Sequence, residues 1–373
     1  ALPDVLGIGL VRRRGGFGAI TKSPSRLEAM RLVLALAAVA RVGLALQSHP
    51  RRAPRPCLAR AAAGPRRAAP LNVAAGLEAE PPLEQPAADG VAPAIRDPAK
   101  YGAELRNAYQ RCGEITKIFS KTFYFGTTFF SESKKTAVWA IYVWCRRTDD
   151  IVDSPLAAML GPERMTEDLR LWKERLDKIW VGEPTDALDL ALADAKRRYP
   201  DLDMAPYVDM IDGMLMDTPG HEIFQDRYET WEELYLYCYR VAGTVGLMVL
   251  PVLGCAEGYT LEESIPPGLS LGIAFQITNI LRDVGEDALR GRIYLPREDM
   301  AKFGVTEKQI MDGIVDDNYK NLIKFEIDRA EAYYVEARTG IPMLDPQARL
   351  AVEVALNVYR GILRKLEEND YDN

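Results

Sequence analysis

"AIYVWCRRTDDIVD" (residues 140–153) joins an apolar, aromatic run to two arginines and three aspartates. On a helix, positions three and four apart share a face, so Tyr142, Arg146, Asp149 and Asp153, spaced 4, 3 and 4, form one polar stripe. The residues around the stripe (Val138, Ile141, Val143) are apolar enough to predict burial. A second stretch, "LGIAFQITNILRDVGEDALRGRIYLP" (271–296), repeats the device: Gln276, Asn279, Asp283 and Asp287 are spaced 3, 4 and 4, among Ile273, Phe275, Ile277 and Ile280. Each stripe ends in Asp-x-x-x-Asp and carries arginine just before its first aspartate, Arg146–Arg147 in one and Arg282 in the other. One such pair is ordinary on a solvated surface. Two of them on helices predicted to pack need a shared counter-charge, because desolvating unpaired carboxylates costs several kcal/mol per ion. Mg2+ fits: it takes carboxylate oxygen, keeps water and bridges to phosphate, while the arginines supply a fork shaped for phosphate.

The surrounding chain is read as helical throughout. Apolar residues recur at three- and four-residue spacing through 103–119, 134–153, 165–180, 186–198, 204–216, 231–250, 269–289, 306–335 and 347–367, and breaks are expected at clusters such as "DSPLAAMLGPE", "YPDLD", "DTPGHE" and "SIPPG". No stretch alternates with period two long enough for a sheet. The expectation is an all-α body from about residue 96 to 373.

Residues 1–95 read differently. "MRLVLALAAVARVGLAL" (30–46) resembles a signal core, and "HPRRAPRPCLARAAAGPRRAAP" is Arg- and Ala-rich without acid, as organelle transit segments are. A Pro/Ala-rich linker follows. This order predicts targeting to a plastid, one bounded by extra membranes. Residues 1–75 hold 13 Lys+Arg against 2 Asp+Glu, which leaves 34 against 52 in the remainder. So acidic a body argues against nucleic-acid binding and suits recruitment of cations. Five cysteines without a CxxC pair argue against a disulfide framework or zinc site. With only His49 and His221, and the latter in a "TPGHE" turn, His-dependent nucleophilic catalysis is nearly excluded. What remains is chemistry run by carboxylates, arginines, tyrosines and bound ions, such as ionisation of an allylic diphosphate beside a dry cavity. "EELYLYCYRVAGTVGLMVLPVLG" (232–254) suits the cavity wall: Tyr237 lies one turn before Val241, and Gly243 and Gly246 serve either a tunnel or close helix packing.

At "SKTFYFG" (120–126), "AVWAIYVWCRRTDDIVD" (137–153), "YLYCYRVAGTVGLM" (235–248) and "FQITNILRDVGEDALRGRIYLP" (275–296) the chain resembles the head-to-head prenyl synthases of the squalene/phytoene synthase type, in family order over most of residues 100–373. The resemblance implies an isoprenoid-synthase-type helical bundle around a central cavity. It also implies condensation of two geranylgeranyl diphosphates through a cyclopropyl diphosphate to phytoene, without a nicotinamide reductant. The "GRIYLP" tail points to the phytoene-forming branch; squalene or dehydrosqualene formation from farnesyl diphosphate, and a non-catalytic assembly relative, are the alternatives. Carried over by position, Asp149, Asp153, Asn279, Asp283 and Asp287 would hold Mg2+ or Mn2+. Ser120, Tyr142, Arg146, Gln276, Arg282 and Tyr359 would contact diphosphate or substrate, and Tyr237, Tyr294 and Phe123 would lie near the reacting carbons. Expected partners are a prenyl diphosphate, a membrane surface for product release and neighbouring carotenoid-pathway enzymes. The chain departs from the pattern at "TDDIVDS", at Leu215 in "GMLMD" where arginine is expected, and at "EENDYDN", beyond which the family continues.

Overall fold

A computed structural model describes residues 102–373. The leader and linker expected over 1–95 lie outside the described residues. The described chain forms helices α1 (Gly102–Phe119), α2 (Lys121–Thr127), α3 (Glu132–Asp153), α4 (Pro155–Leu160), α5 (Pro162–Trp180), α6 (Ala187–Arg198), α7 (Ala205–Met216) and α8 (Trp231–Cys238). A π-helical turn, Tyr239–Gly243, leads into α9 (Thr244–Leu253), and then come α10 (Leu261–Arg282), α11 (Val284–Leu289), α12 (Arg297–Phe303), α13 (Glu307–Met311), α14 (Asp317–Gly340) and α15 (Pro346–Glu368). Among these residues there is no strand, only one isolated bridge between Cys255 and Leu344.

Periodicity located the long helices and missed the short ones. α2, α4 and α12 are too brief to show a repeat. α10 begins eight residues earlier than the pattern implied and runs through Pro266 and Pro267, where a break was expected. Its start is secured by a capping box, in which Thr260 and Glu263 each satisfy the other's backbone N–H. The Pro267 ring rests on Gly340 of α14, where a Cβ would come within 2.6 Å of it. Tertiary packing thus overrides the local signal.

The buried side chains form two main clusters rather than the single contiguous core usual for a domain. One gathers α1, α3, α5, α6 and α7; the other gathers α8, α10, α14 and α15. Val241, in the π-turn, packs against both. Half-buried apolar residues flank each cluster, Val245 and Val249 on the first and Phe275 and Tyr359 on the second.

Of the two readings left open for Gly246, close helix packing is the one the structure shows, and Gly272 of α10 is a packing glycine as well. A Cβ on Gly246 would lie 2.8 Å from the Gly268 carbonyl oxygen, and one on Gly272 would lie 2.5 Å from that of Ala242. Close approach of α9 and the π-turn to α10 therefore requires them. Gly272→Ala should lower stability by about 1–3 kcal/mol through this overpacking, read as a drop in urea midpoint. Trp231–Leu253 is long and apolar enough to cross a membrane by length and composition, with mean hydropathy 1.6. Here it is a partly buried rod packed on α7 and α10.

Candidate active site

The first acidic stripe sits where α3 stops. Ser154 precedes Pro155, which disfavours the helical region, and Ser154 is extended (φ −70°, ψ 151°) with its hydroxyl accepting from Ala157 N at 3.1 Å. α3 thus ends at Asp153, placing Asp149 and Asp153 in its last turn. Carboxylates there face the negative end of the helix dipole, at a cost of about 0.3–1 kcal/mol each. Upstream on the same face, Tyr142 stacks on Phe123 of α2 (5.1 Å). The Arg146 guanidinium lies over Phe119 (4.5 Å) and pairs with Asp150 (2.5 Å), while its buried Nε has no partner. Ser120 occupies the N-cap position of α2, yet its hydroxyl makes no capping bond.

Arg147 differs from expectation. One position along the helix from Arg146, it points away from the stripe, to Asp186 (2.9 Å) and Asp189 (3.1 Å), and lies over Trp172 (4.7 Å). Arg175 joins the same two aspartates. The network locks α3 from behind to α5 and α6. Asp189 is 1% exposed, so Arg147→Ala should cost about 3 kcal/mol of stability, the low end for breaking a buried pair because Arg175 remains. Turnover per folded molecule should barely change; unfolding curves paired with specific activity check this.

The second stripe is interrupted rather than continuous. α10 ends at Arg282, Asp283 is its C-cap (φ −109°, ψ 13°), and Asp287 belongs to α11. Arg282 binds Asp283 with both arms (2.7 and 2.6 Å). The Asn279 amide donates to Gln276 Oε1 at 3.3 Å, and Phe275 stacks on Tyr359 at 4.2 Å. Leu215, where arginine was expected, packs into the first apolar cluster and supplies no charge.

A hub missed in the sequence lies between the stripes. Arg292, from "GRIYLP", binds the Asp217 carboxylate, the Asp217 carbonyl (2.7 Å) and the Tyr294 hydroxyl (2.8 Å). Tyr237 donates to Asp217 Oδ2 (3.0 Å), its hydroxyl 3.4 Å from that of Tyr294. Tyr237 and Tyr294, 57 residues apart in sequence, are thus neighbours, whereas Phe123 lies with Tyr142. Asp217 and Arg292 join Tyr237 and Tyr294. The available signal is the "GMLMD" run, whose last residue is Asp217. Tyr239, two positions along the helix and so on the opposite face, reaches Asp209 (2.6 Å).

The electrostatics tie the stripes into one field. Desolvation, then the Asp153 charge, pushes the half-buried Asp149 carboxyl up to about 8. Asp153 is exposed at the helix end and is nonetheless raised, by desolvation first, against the pull of Arg292, Arg290 and Arg146. Desolvation and the Asp283 charge push Asp287 up to about 6, again opposed by Arg290 and Arg292. Buried Asp217 rises to about 6 despite Arg292. The last aspartate of each stripe is therefore within the field of the same two arginines.

These residues fit a divalent cation in a particular way. Among the described residues no three His, Cys, Asp or Glu side chains converge to cage an ion. What is present is a set of carboxylates of which Asp149, Asp153 and Asp287 are held above their ordinary range, by burial first. That suits Mg2+ or Mn2+ held by one or two carboxylates, with water and phosphate oxygens completing the shell.

The all-helical architecture is that of the isoprenoid-synthase fold, and its likeness to named synthases makes the chain a prenyltransferase. The squalene/phytoene synthase family model matches residues 116–373, and the chain belongs to that family. It is 47% identical to the 15-cis-phytoene synthase of Synechococcus elongatus, over 74% of this chain and 89% of that one. It is 48% identical to the chloroplastic phytoene synthase of Daucus carota, over 72% of this chain and 66% of the relative. Chloroplastic phytoene synthase 1 of Zea mays is 46% identical, with 64% of its length covered. Among solved structures, a dehydrosqualene synthase with a bound ligand superposes with TM-score 0.65 at 33% identity, covering 74% of this chain and 90% of that one. A squalene synthase from Alicyclobacillus acidocaldarius gives 0.64 at 27% identity, covering 72% and 96%.

Proposed function

We propose that this chain joins two geranylgeranyl diphosphates head to head, through a cyclopropyl diphosphate, to give phytoene and two diphosphates. What supports one shared site is that Arg292, bonded to Asp217 and to the Tyr294 hydroxyl, opposes together with Arg290 the raised carboxyls of both Asp153 and Asp287, the last aspartates of the two stripes. Relatives 46–48% identical that bear the phytoene synthase name support this product. Divalent cations would bind through Asp149, Asp153, Asn279, Asp283 and Asp287 and would supply Lewis-acid charge against the departing diphosphate. Arg146 and Arg282, each now engaged with a neighbouring aspartate, would turn to phosphate oxygens, with Ser120 and Gln276 as further polar contacts. Such charge favours the ionised over the ground state and so speeds cleavage of the allylic C–O bond. Phe123, Tyr142 and Tyr359 would keep water from the carbocation, while Asp217 and Arg292 fix the hydroxyls of Tyr237 and Tyr294 nearby.

The experiment is incubation of the chain with geranylgeranyl diphosphate and Mg2+ in the absence of NADPH. Phytoene is expected; no phytoene from folded chain contradicts the reading. The second reading, dehydrosqualene formation from farnesyl diphosphate, is favoured by the structural likeness to a dehydrosqualene synthase. Both substrates offered in one tube decide between them. A non-catalytic assembly relative would show neither product, and Mg2+ would leave its diphosphate binding unchanged.

The chloroplastic labels of the plant relatives support a plastid location, with residues 1–95 as the leader and 96–373 as the catalytic body. Phytoene is insoluble in water, so its release would be toward a membrane.

A further inference from the structure

α10 and α11 are separated by a break, and helix breaks have identifiable causes. Neither proline nor a π-bulge lies at Asp283. Among the described residues no backbone N–H reaches the Leu281 carbonyl, which an uninterrupted helix would give to Gly285. The Asn373 side-chain amide takes that carbonyl instead, and Asn373 Oδ1 in turn accepts from the Tyr319 hydroxyl of α14 (2.5 Å). Directly beside it, a Cβ on Gly285 would come within 2.6 Å of the Asn373 carbonyl oxygen. Gly285 stands between Asp283 and Asp287, so the approach falls inside the second acidic motif.

The segment that delivers Asn373 is itself held. Asp370 and Tyr371 both have left-handed backbone (φ 57° and 63°), which costs on the order of 1 kcal/mol or more per non-glycine residue. Tyr371 N bonds the Leu366 carbonyl (2.9 Å), its ring is buried in the second apolar cluster, and Lys320 pairs with Asp370 (2.5 Å). Strained backbone persists only where its surroundings over-determine it. Here they deliver a carboxamide to the one place where the helix is interrupted.

We propose that residues 370–373 form a clip that positions Asp287 relative to Asp283, with Asn373 occupying the rung that would otherwise continue α10 straight into α11. The clip rests on the reading of these aspartates as the diphosphate–metal motif. Without it, Leu281 and Gly285 are free to close a helical rung and swing Asp287. Side chains that orient metal ligands are worth about 10–100-fold in metal affinity when removed.

The test uses the whole chain, inorganic pyrophosphate and Mg2+ titrated by calorimetry, together with hydrogen exchange over residues 281–289 and thermal melting. In Asn373→Ala and Asn373→Asp, half-saturation by Mg2+ should shift upward about tenfold, with faster or redistributed exchange confined to 281–289 and little change in melting. Asn373→Asp keeps the acceptor for Tyr319 and loses the donor to Leu281, so a behaviour like wild type would overturn the clip. Gly285→Ala, which expels the segment sterically, should match the Asn373 variants. Unchanged Mg2+ dependence and exchange in these variants, beside a wild-type chain that binds pyrophosphate, overturns the proposal. A wild-type chain that binds no pyrophosphate with Mg2+ overturns the site reading beneath it.

Discussion

Asp149→Asn is expected to lower kcat by roughly a thousandfold, the scale for losing a group that stabilises transition-state charge, while the fold survives. The asparagine keeps the shape and removes the charge that a divalent cation needs. The pH dependence makes the case specific. Asp149 is raised from 3.8 to about 8 by desolvation and by Asp153. A carboxyl raised on folding favours the protonated folded state, so its stabilising contribution is complete below about pH 4 and is lost as pH climbs through about 8. The metal-free wild-type chain should therefore weaken from pH 5 to pH 9 in urea titrations with chelator present. Asp149→Asn should flatten that slope and equal or exceed wild type at pH 8. Mg2+ and pyrophosphate binding at pH 7 should also release protons from wild type and fewer from the variant, because the ligand form of the carboxyl is the anion.

Arg292→Leu is expected to carry the second-largest effect, and on two readouts at once. It removes the partner of Asp217, which is 9% exposed and bonded to both Arg292 and Tyr237. Breaking such a pair by deleting one side costs about 3–5 kcal/mol because the other charge is left behind. It also strips Asp153 and Asp287 of a shared opposing charge and frees the Tyr294 hydroxyl. Turnover should fall roughly a hundredfold even in the molecules that remain folded. Arg292→Leu combined with Asp217→Asn should recover much of the stability and little of the turnover. Full recovery of activity in the double variant would contradict a role for this arginine in joining the two stripes.

Much of this arrangement was legible in the chain itself. The helical period survives in long elements such as α5 and α15 because each buries one face, and the two Asp-x-x-x-Asp pairs stood out because their flanks are too apolar for surface turns. Three features were hidden for physical reasons. The direction of Arg147 depends on Asp186 and Asp189, some forty residues away, and adjacent positions on a helix diverge by about 100°. The continuity of α10 through Pro266 and Pro267 rests on Gly340 of another helix. The hub of Asp217 and Arg292 is assembled from a helix end and an irregular segment, neither of which has a period to betray it.

The central claim is that the two acidic helix ends act together on one diphosphate–metal complex. Crystals grown with Mn2+ and a non-reactive geranylgeranyl diphosphate analogue, measured at the manganese absorption edge, test it most directly. The account predicts anomalous peaks against Asp149 and Asp153 on one side and Asn279, Asp283 and Asp287 on the other, each bridged to diphosphate oxygens. Manganese bound elsewhere, or a diphosphate seated away from both helix ends, would contradict it.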